Sequence, residues 1–488
     1  MILLKRSTTD WRLSQLTEIN WMSEVEKRKE SFIKDTQGLL HIKSLLDEEN
    51  TSAEAPLGQE VKEALDFMLN LGEKDGFTPK NVGNLAGHLE FGEGKDLLGI
   101  LCHVDVVPEG DGWTSDPFGA VIRDGKIYAR GALDDKGPTM AAYYAMKIVK
   151  ELGLPLKKRV RMIIGTDEES NWRCVDHYFK NEEMPTLGFA PDADFPIINA
   201  EKGIADFDMV QKESEEGVTE ANIKVERFVS GKRYNMVPDH AKATILVKEH
   251  QDEVVKQFIA FMKKVELEYN YHVQNEELIL EVIGVSAHGM EPRNGKNAGL
   301  FLAEFLSKQA LDAKATHYFQ FVSRYFFDDS RGVNLGVAYS DEISGELTIN
   351  PGKLLFTSES GGRIGMTCRY PVTNKMESTK GKLDDVLLNE GFAIENFSDS
   401  KPHHVDEKEF LIQTLKKVYE EQTGEKAELI AIGGGTYARS LKAGVAFGPL
   451  FPGRPDIAHQ KDEYMFIDDL LKATAIYAQA IYELAQTE

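Results

Sequence analysis

A histidine and an aspartate follow the most strand-like segment of this sequence. Residues 97–101 form an apolar run with the length and composition of a buried strand, and His103 and Asp105 come directly after it. Such a polar pair has two interpretations: both side chains are hydrogen-bonded core residues, or His103 binds a metal ion while Asp105 fixes its tautomer. The motif alone does not decide between them, because His-x-Asp recurs at 250–252 and 404–406 in charged surroundings.

Acidic residues also occur downstream where other elements are predicted to begin or end. Asp134 precedes a predicted helix, where an aspartate ordinarily caps the helix but can also bind a metal. Glu168 and Glu169 follow a second apolar run, as part of an acidic triplet that is either a solvated loop or a cation site. Asp192 follows a further apolar segment.

These side chains could converge on one edge of a sheet. In open α/β sheets, ligands bind beyond the carboxyl ends of the strands, which is where these acids are predicted to lie. With a histidine that precedes the last predicted helix, they supply nitrogen and oxygen ligands suited to two divalent cations about 3.5–4 Å apart. The candidate set is His103, Asp134, Glu168, Glu169, Asp192 and His459.

The motif series resembles that of the co-catalytic zinc peptidases, the family of aminoacylase, carboxypeptidase G and succinyl-diaminopimelate desuccinylase. It is most similar to the PepV-type bacterial dipeptidases. The shared motifs extend from about residue 100 to 465 in the same order, and so cover both presumed domains. They are His103-Val104-Asp105-Val106-Val107-Pro108, the segment 112–118, Asp134-Asp135-Lys136-Gly137, Asp167-Glu168-Glu169, and the segments 191–196, 231–238, 286–289 and 433–437, with His459.

This resemblance implies a role for each metal-site residue. One divalent ion would be held by His103, Asp134 and Asp192. The second would share Asp134 and add Glu169 and His459. Asp105 would orient His103, and the peptide bond between Asp134 and Asp135 would be cis. Zinc is the first expectation for both ions, although the same ligand types admit manganese or cobalt.

The resemblance also implies the catalytic and substrate-binding residues. Glu168 would be the general base, acting on a water that bridges the two ions, and Asn235 and His288 would polarise the scissile carbonyl. Arg369 would bind the terminal carboxylate of the substrate, and Gly434 would also contact the substrate. Three of these residues also have an ordinary structural interpretation. His288 could be a solvated loop histidine, Arg369 a charged residue on the face of a strand, and Asn235 a residue that forms a turn.

The expected activity is therefore that of a metal-dependent dipeptidase for short unblocked peptides. An N-acyl-amino-acid deacylase or desuccinylase with the same metal site is the alternative. A phosphate-binding protein built on the Gly433-Gly434-Gly435 turn is disfavoured, because the turn lacks the lysine of a P-loop. A metal-binding relative without catalysis is disfavoured because Glu168 is present.

Hydrophobic periodicity predicts the elements that must position these residues. Strands alternating with helices predict an α/β catalytic domain, a mixed and mostly parallel sheet flanked by helices, in residues 22–202. The pattern changes to α+β in residues 203–398, which we interpret as an inserted lid or substrate domain, and 399–488 resumes the catalytic domain. Residues 1–21 are expected to be a loosely ordered extension, with Met22 as the effective start.

Composition limits the partners and the compartment. The 488 residues carry a formal net charge of −23, which argues against binding to nucleic acid or to anionic membrane surfaces. No apolar run has membrane-spanning length, and the N-terminal segment lacks the apolar core of a signal peptide. Three unpaired cysteines fit a reducing cytoplasm. A monomer is expected, because the long insert resembles a built-in substitute for a partner subunit.

Overall fold

The computed structural model describes residues 19–212 and 221–487. The predicted extension at 1–21 lies mostly outside these residues. Its last residue, Trp21, is buried and packs against the ring of Tyr482 at a centroid distance of 6.0 Å.

The described chain contains eleven α-helices. Those that cover the sheets carry buried apolar residues at helical spacing, as Lys136–Glu151 and the almost wholly buried Ile467–Ala485 do. Two 3-10 helices, Pro292–Asn294 and Tyr437–Ser440, supplement them. The α-helices are α1 Trp21–Glu26, α2 Lys29–Leu40, α3 Gln59–Lys74, α4 Lys136–Glu151, α5 Arg173–Asn181, α6 Gln251–Val265, α7 Ala298–Ser307, α8 Ala313–Phe326, α9 Met376–Asn389, α10 Phe410–Thr423 and α11 Ile467–Ala485.

The strands form two large sheets and three small ones. They are β1 Thr78–Val82, β2 Ala86–Phe91, β3 Leu97–His103, β4 Val121–Arg123, β5 Lys126–Tyr128, β6 Arg159–Gly165, β7 Leu187–Ala190, β8 Ala193–Asp194, β9 Ile197–Glu201, β10 Gly203–Gln211, β11 Ile223–Ser230, β12 His240–Val247, β13 Glu268–Gln274, β14 Glu277–Ile283, β15 Ser340–Asp341, β16 Gly345–Glu346, β17 Thr348–Thr357, β18 Gly361–Tyr370, β19 Phe392–Ser400, β20 His403–His404, β21 Leu429–Ile432, β22 Gly444–Ala446, β23 Pro449–Leu450 and β24 Tyr464–Phe466.

The nine-stranded sheet is parallel at its centre and antiparallel at its edges. Its order is β1-β2-β6-β3-β7-β22-β9-β20, with β21 beside β9. The four central strands β6, β3, β7 and β22 are parallel, whereas β1, β2, β9 and β20 pair in antiparallel fashion. The central strand β3 is buried along its whole length, as expected for a strand covered on both faces.

The second large sheet is antiparallel throughout. Its order is β13-β14-β12-β11-β17-β18-β10-β19. Helices α7 and α8 pack on it, α7 on β12 and β14 and α8 on β17 and β18. The predicted class, an α/β domain interrupted by an inserted α+β domain, is confirmed.

The described chain divides into two compact units, each with its own core. The first unit comprises the described residues of Met1–Asn199, Val405–Ile430 and Thr436–Glu488, and the second comprises those of Ala200–His404 and Ala431–Gly435. One apolar core lies within the first unit and the other within the second. In the described residues no helix is both long and apolar enough to cross a bilayer.

Candidate metal centre

Most of the predicted ligands lie at or just after the carboxyl ends of three adjacent parallel strands. His103 is the last residue of β3 and lies opposite Gly165, the last residue of β6, in the parallel register. Glu168 and Glu169 follow β6, and Asp192 follows β7. Because β6, β3 and β7 are neighbours, their carboxyl ends meet, and the loops beyond them form one site.

The carboxylate of Asp134 lies between two histidines. Its Oδ1 is 3.0 Å from Nε2 of His103, and its Oδ2 is 3.1 Å from Nε2 of His459. Nε2 of His459 is also 3.0 Å from Oε1 of Glu169, and Nε2 of His103 is 3.8 Å from Oδ1 of Asp192. The structure thus brings together all five predicted metal ligands, although they are spread over most of the chain.

Asp135 also lies in this centre, although only the resemblance had drawn attention to it. Its carboxylate, with His103 and Asp192, forms a group whose ligand atoms lie within 4.8 Å of one another. Its Oδ2 accepts hydrogen bonds from the backbone N–H of His103 and from Oγ1 of Thr139, both at 3.1 Å. Its Oδ1 is buried and has no hydrogen-bond partner within the described parts of the chain. The peptide bond between Asp134 and Asp135 is cis, as the resemblance implies.

Asp105 positions His103 and the backbone of Glu168 and Glu169 through hydrogen bonds. Its Oδ1 and Oδ2 accept hydrogen bonds from the backbone N–H groups of Glu168 and Glu169, at 3.2 and 3.1 Å. Nδ1 of His103 lies 3.1 Å from the backbone oxygen of Asp105 and 3.4 Å from its Oδ1. An N–H at Nδ1 therefore donates to Asp105, which leaves the lone pair of Nε2 for a metal ion.

An aromatic ring fixes the other side of His103. The fully buried Tyr437 packs edge-on against the imidazole at a centroid distance of 5.9 Å. Its hydroxyl lies 3.1 Å from Sγ of Cys174. With Asp105 on Nδ1 and Tyr437 on the ring, the imidazole is held in one orientation.

Asp167, the first residue of the predicted acidic triplet, pairs with an arginine and not with the residues of the centre. Asp167 is buried and bonds Arg173, whose Nε lies 2.8 Å from Oδ2 of the aspartate. Among the described residues, Glu168 and Glu169 form no ion pair with a lysine or an arginine. The loop after β6 therefore separates one structural acid from two that remain available to the centre.

The acids of the centre carry more negative charge than the protein compensates. Burial raises the pKa of Glu169 to about 7 and that of Asp192 to about 6, with Asp134 adding to both shifts. Burial also raises the pKa of Glu168 well above its ordinary value, and Asp192, Asp134 and Glu169 increase the shift. Raised carboxyl pKa values indicate that a cation would stabilise this cluster.

In the absence of a cation, the two histidines offset part of the negative charge of these carboxylates only when their imidazoles are protonated. Hydrogen bonds with Asp134 and Glu169 raise the pKa of His459 to about 10. Burial by itself would lower the pKa of His103, but Asp105, Asp134 and Asp192 together raise it well above its ordinary value. Two imidazoles, a carboxylate facing both of them and flanking carboxylates form a donor set that fits two divalent cations.

The other predicted residues belong to the second unit, and three of them, Asn235, His288 and Arg369, lie close together. The backbone oxygen of Asn235 accepts a hydrogen bond from Gly289 at 2.7 Å, and Met236 forms an isolated β-bridge with His288. Arg369 lies in β18, is 5% exposed and is close enough to lower the pKa of His288. Gly434 has open space where a side chain would begin.

The hydrogen bonding of His288 indicates which of its ring nitrogens can donate a hydrogen bond. Its Nδ1 accepts a hydrogen bond from the backbone N–H of Met290 at 3.1 Å. Partial burial, followed by the nearby charge of Arg369, lowers its pKa, so the ring is neutral at pH 7. A neutral ring with Nδ1 as acceptor carries its proton on Nε2, which can donate to a substrate oxygen.

Comparison with known proteins points to one family. A model of the peptidase family M20/M25/M40 matches residues 99–483. "Putative dipeptidase YtjP" of Bacillus subtilis is 55% identical over 468 residues, which cover 96% of this chain and 100% of that protein. A "Putative dipeptidase" of Staphylococcus epidermidis is 47% identical over 464 residues, covering 95% of this chain and 99% of that protein.

Solved structures share the fold at low sequence identity. The aminoacylhistidine dipeptidase from Vibrio alginolyticus matches with a TM-score of 0.57 and 14% identity, covering 93% of this chain and 97% of that one. The aminopeptidase PepT from Bacillus cereus matches with a TM-score of 0.54 and 15% identity, covering 93% and 98%. At these identities the likeness concerns the fold alone.

Proposed function

Because this chain belongs to the peptidase family M20/M25/M40, we propose that it is a metal-dependent dipeptidase whose active site is the centre around Asp134. The observation that carries the proposal is the position of Asp134, with one carboxylate oxygen near His103 and the other near His459. The relatives named dipeptidases, similar over nearly their whole length, support the substrate class.

Two divalent ions, with zinc as the proposed metal, would divide the ligands around Asp134. His103 and Asp192 would hold one ion with Asp134, and Glu169 and His459 would hold the other with the same aspartate. Imidazole nitrogen and carboxylate oxygen are ligands that zinc accepts readily. When bound, such ions supply Lewis-acid chemistry: they polarise a carbonyl oxygen and acidify water.

Glu168 is the proposed general base. Its backbone N–H is anchored on Asp105, and among the described residues its carboxylate accepts no hydrogen bond that would reduce its basicity. Burial makes the carboxylate a stronger base by raising its pKa, while nearby cations would keep it ionised at neutral pH. It would take a proton from the attacking water and return it to the leaving amine.

The second unit supplies the proposed substrate contacts. His288 would donate from Nε2 to the carbonyl oxygen on which negative charge develops, with Asn235 as a second polar contact. Arg369 would bind the C-terminal carboxylate of the peptide, for which a guanidinium is suited because it can donate two parallel hydrogen bonds. Gly434 would allow the substrate backbone to approach closely.

We further propose a monomer in a reducing cytoplasm. The second unit is the long insert that resembles a built-in substitute for a partner subunit, and this supports the monomer. The three cysteines are buried and free, which suits a reducing compartment. Light scattering after gel filtration would measure the oligomeric state.

A substrate panel with and without chelator tests the function. We expect the full-length protein to hydrolyse Ala-Ala, to lose this activity in chelator and to regain it with zinc. C-terminally amidated Ala-Ala should be a poor substrate if Arg369 binds the carboxylate. Hydrolysis of N-acetylalanine but not of Ala-Ala would instead identify a deacylase, and chelator-resistant hydrolysis would exclude a metal-dependent enzyme.

Glu168→Gln provides the matched variant for this panel. It should lower kcat by at least about 100-fold, in line with the loss of a positioned base, and leave the zinc content unchanged. Glu49→Gln is the control, because Glu49 also belongs to an acidic triplet but is exposed at the surface. Full activity of Glu168→Gln would remove Glu168 from the role of base.

A further inference from the structure

A buried ion pair joins the two loops that carry Asp134 and His459. Arg130 and Glu463 are 1% and 0% exposed, and Nη1 of the arginine lies 2.5 Å from Oε2 of the glutamate. The two residues are 333 positions apart in the sequence. Arg130 shares its loop with Asp134, and Glu463 shares its loop with His459.

The glutamate holds the backbone of the aspartate that faces both histidines. Oε1 of Glu463 accepts hydrogen bonds from the N–H groups of Leu133 and Asp134, at 2.9 and 3.2 Å. The backbone oxygen of Glu463 accepts a further hydrogen bond from Ala129 at 3.1 Å. The start and the end of the loop before α4 are therefore both fastened to one residue.

The arginine fastens the surrounding loops in turn. Its Nη1 donates to the backbone oxygen of Gln460, next to His459, at 3.3 Å. Its Nη2 donates to the backbone oxygens of Pro108 and Glu109, at 3.3 and 3.2 Å. The guanidinium group therefore contacts the loop after β3 as well as the loop of His459.

Stability alone does not account for such a pair. Removing two charges from water offsets most of their attraction, and apolar replacements of buried ion pairs are often neutral or stabilising. What this pair provides is geometry, since it fixes the backbone of Asp134 against the backbone beside His459. These two side chains lie 3.1 Å apart at the centre.

We propose that Arg130 and Glu463 are positioning residues that set the separation of Asp134 and His459, and thereby the affinity of the cation bound between Asp134, Glu169 and His459. This inference rests on the proposed function. It concerns two residues that are neither among the five proposed metal ligands nor among the proposed substrate contacts. Partners of this kind typically contribute 10- to 100-fold to metal affinity.

Stepwise zinc affinities of the full-length chain test the proposal. The metal-stripped protein is titrated with zinc against a chromophoric chelator, which resolves two binding constants. Glu463→Gln should weaken one step by about 10- to 100-fold, and this should be the step that His459→Ala removes. Arg130→Lys keeps the charge but loses the planar fork, so it should weaken the same step.

Two measurements separate positioning from general stability. Thermal unfolding of each metal-free variant establishes that it is folded before zinc is added. Glu90→Gln is the matched control, because Glu90 pairs with the buried Arg161 at 2.6 Å in the same unit and does not contact the centre. Its zinc constants should equal those of the wild type.

Each outcome decides for or against the inference. Unchanged zinc constants in folded Glu463→Gln and Arg130→Lys would overturn it, as would an equal weakening of both steps or an equal effect of Glu90→Gln. If neither variant folds, the pair is structural and the inference fails. A wild-type chain that binds no zinc would instead refute the proposed function.

Discussion

Protons and cations compete for the same lone pairs at this centre. In the metal-free chain, Asp134 and Glu169 raise the pKa of His459 to about 10, so the imidazole holds a proton at pH 7. Burial raises the pKa of Glu169 to about 7 and that of Asp192 to about 6. Because zinc binds the neutral imidazole and the ionised carboxylates, it must displace these protons.

Zinc binding should therefore release protons, and its affinity should increase with pH. Near pH 8 we expect protons to be released from the imidazoles of His459 and His103, whose pKa values are both raised, because the carboxyl groups of Glu169 and Asp192 are already mostly ionised there. Towards pH 6 the release should rise and the affinity fall more steeply, since Glu169 and then Asp192 also hold protons. Calorimetric zinc titrations in buffers of different ionisation enthalpy measure the number released.

His459→Asn is the control for the proton count. It removes one of the two imidazoles with a raised pKa, so the release near pH 8 should fall by about one proton. Zinc binding with no proton release at pH 6 would contradict the assignment of Glu169 and Asp192 as ligands.

The residues of the centre differ in how well their roles could be predicted from the sequence. His103, Glu169 and Asp192 could be predicted to meet because each lies at or just beyond the carboxyl end of a parallel strand of one sheet. The role of Glu463 could not be predicted, because it bonds backbone N–H groups hundreds of positions away. No residue type marks a backbone donor, so such a contact has no signal in the sequence.

At the scale of elements, one strand of the second unit holds the predicted substrate loop. Asn350 in β17 is 1% exposed, and its Nδ2 donates to the backbone oxygens of Tyr234 and Met236, both at 2.9 Å. These oxygens belong to the residues on either side of Asn235. The side chain thus fixes the segment that presents Asn235.

Asn350→Ala should impair substrate use and leave zinc binding intact. It removes the donor for two partly buried carbonyls, which should cost roughly 1–3 kcal/mol of unfolding free energy. If the loop of Asn235 shifts, kcat/KM for Ala-Ala should fall about tenfold, a change equivalent to about 1.4 kcal/mol. Steady-state kinetics and zinc titration of the same preparation measure both effects.

Asn222→Ala is the matched control for that variant. Nδ2 of Asn222 also donates to a backbone oxygen, that of Glu249, at 2.9 Å, but this hydrogen bond is exposed to solvent and lies in another loop. Its kcat/KM should equal that of the wild type. A loss of stability in Asn350→Ala without any change in kcat/KM would show that the loop does not depend on Asn350 for function.

Some elements could not be predicted because packing decided their conformation. The segment of α8 is rich in aromatic residues, which favour strands, yet it is helical and packs on β17 and β18. Asp312 caps this helix by accepting a hydrogen bond from Ala315 at 3.0 Å. Strand β13 is an edge strand with nearly every residue exposed, so it lacks the alternation that identifies a strand.

At the scale of the whole molecule, the two units can be followed separately because they differ in their metal ligands and in their tryptophan content. All five proposed metal ligands lie in the first unit. The four tryptophans are at positions 11, 21, 113 and 172, so the second unit contains none. Tryptophan fluorescence therefore follows the part of the chain that binds metal, whereas circular dichroism follows both units.

Metal removal should lower the unfolding temperature seen by fluorescence. Zinc at about a thousand times its Kd stabilises the folded form by about 4 kcal/mol, which corresponds to roughly 10 °C in a unit of this size. Because the second unit has its own core and none of the ligands, circular dichroism should retain a component that chelator does not shift. His459→Ala should show a smaller fluorescence shift than the wild type, since it retains only one complete ligand set. An identical fluorescence transition with zinc and with chelator would mean that the ligands of the first unit do not hold a metal ion.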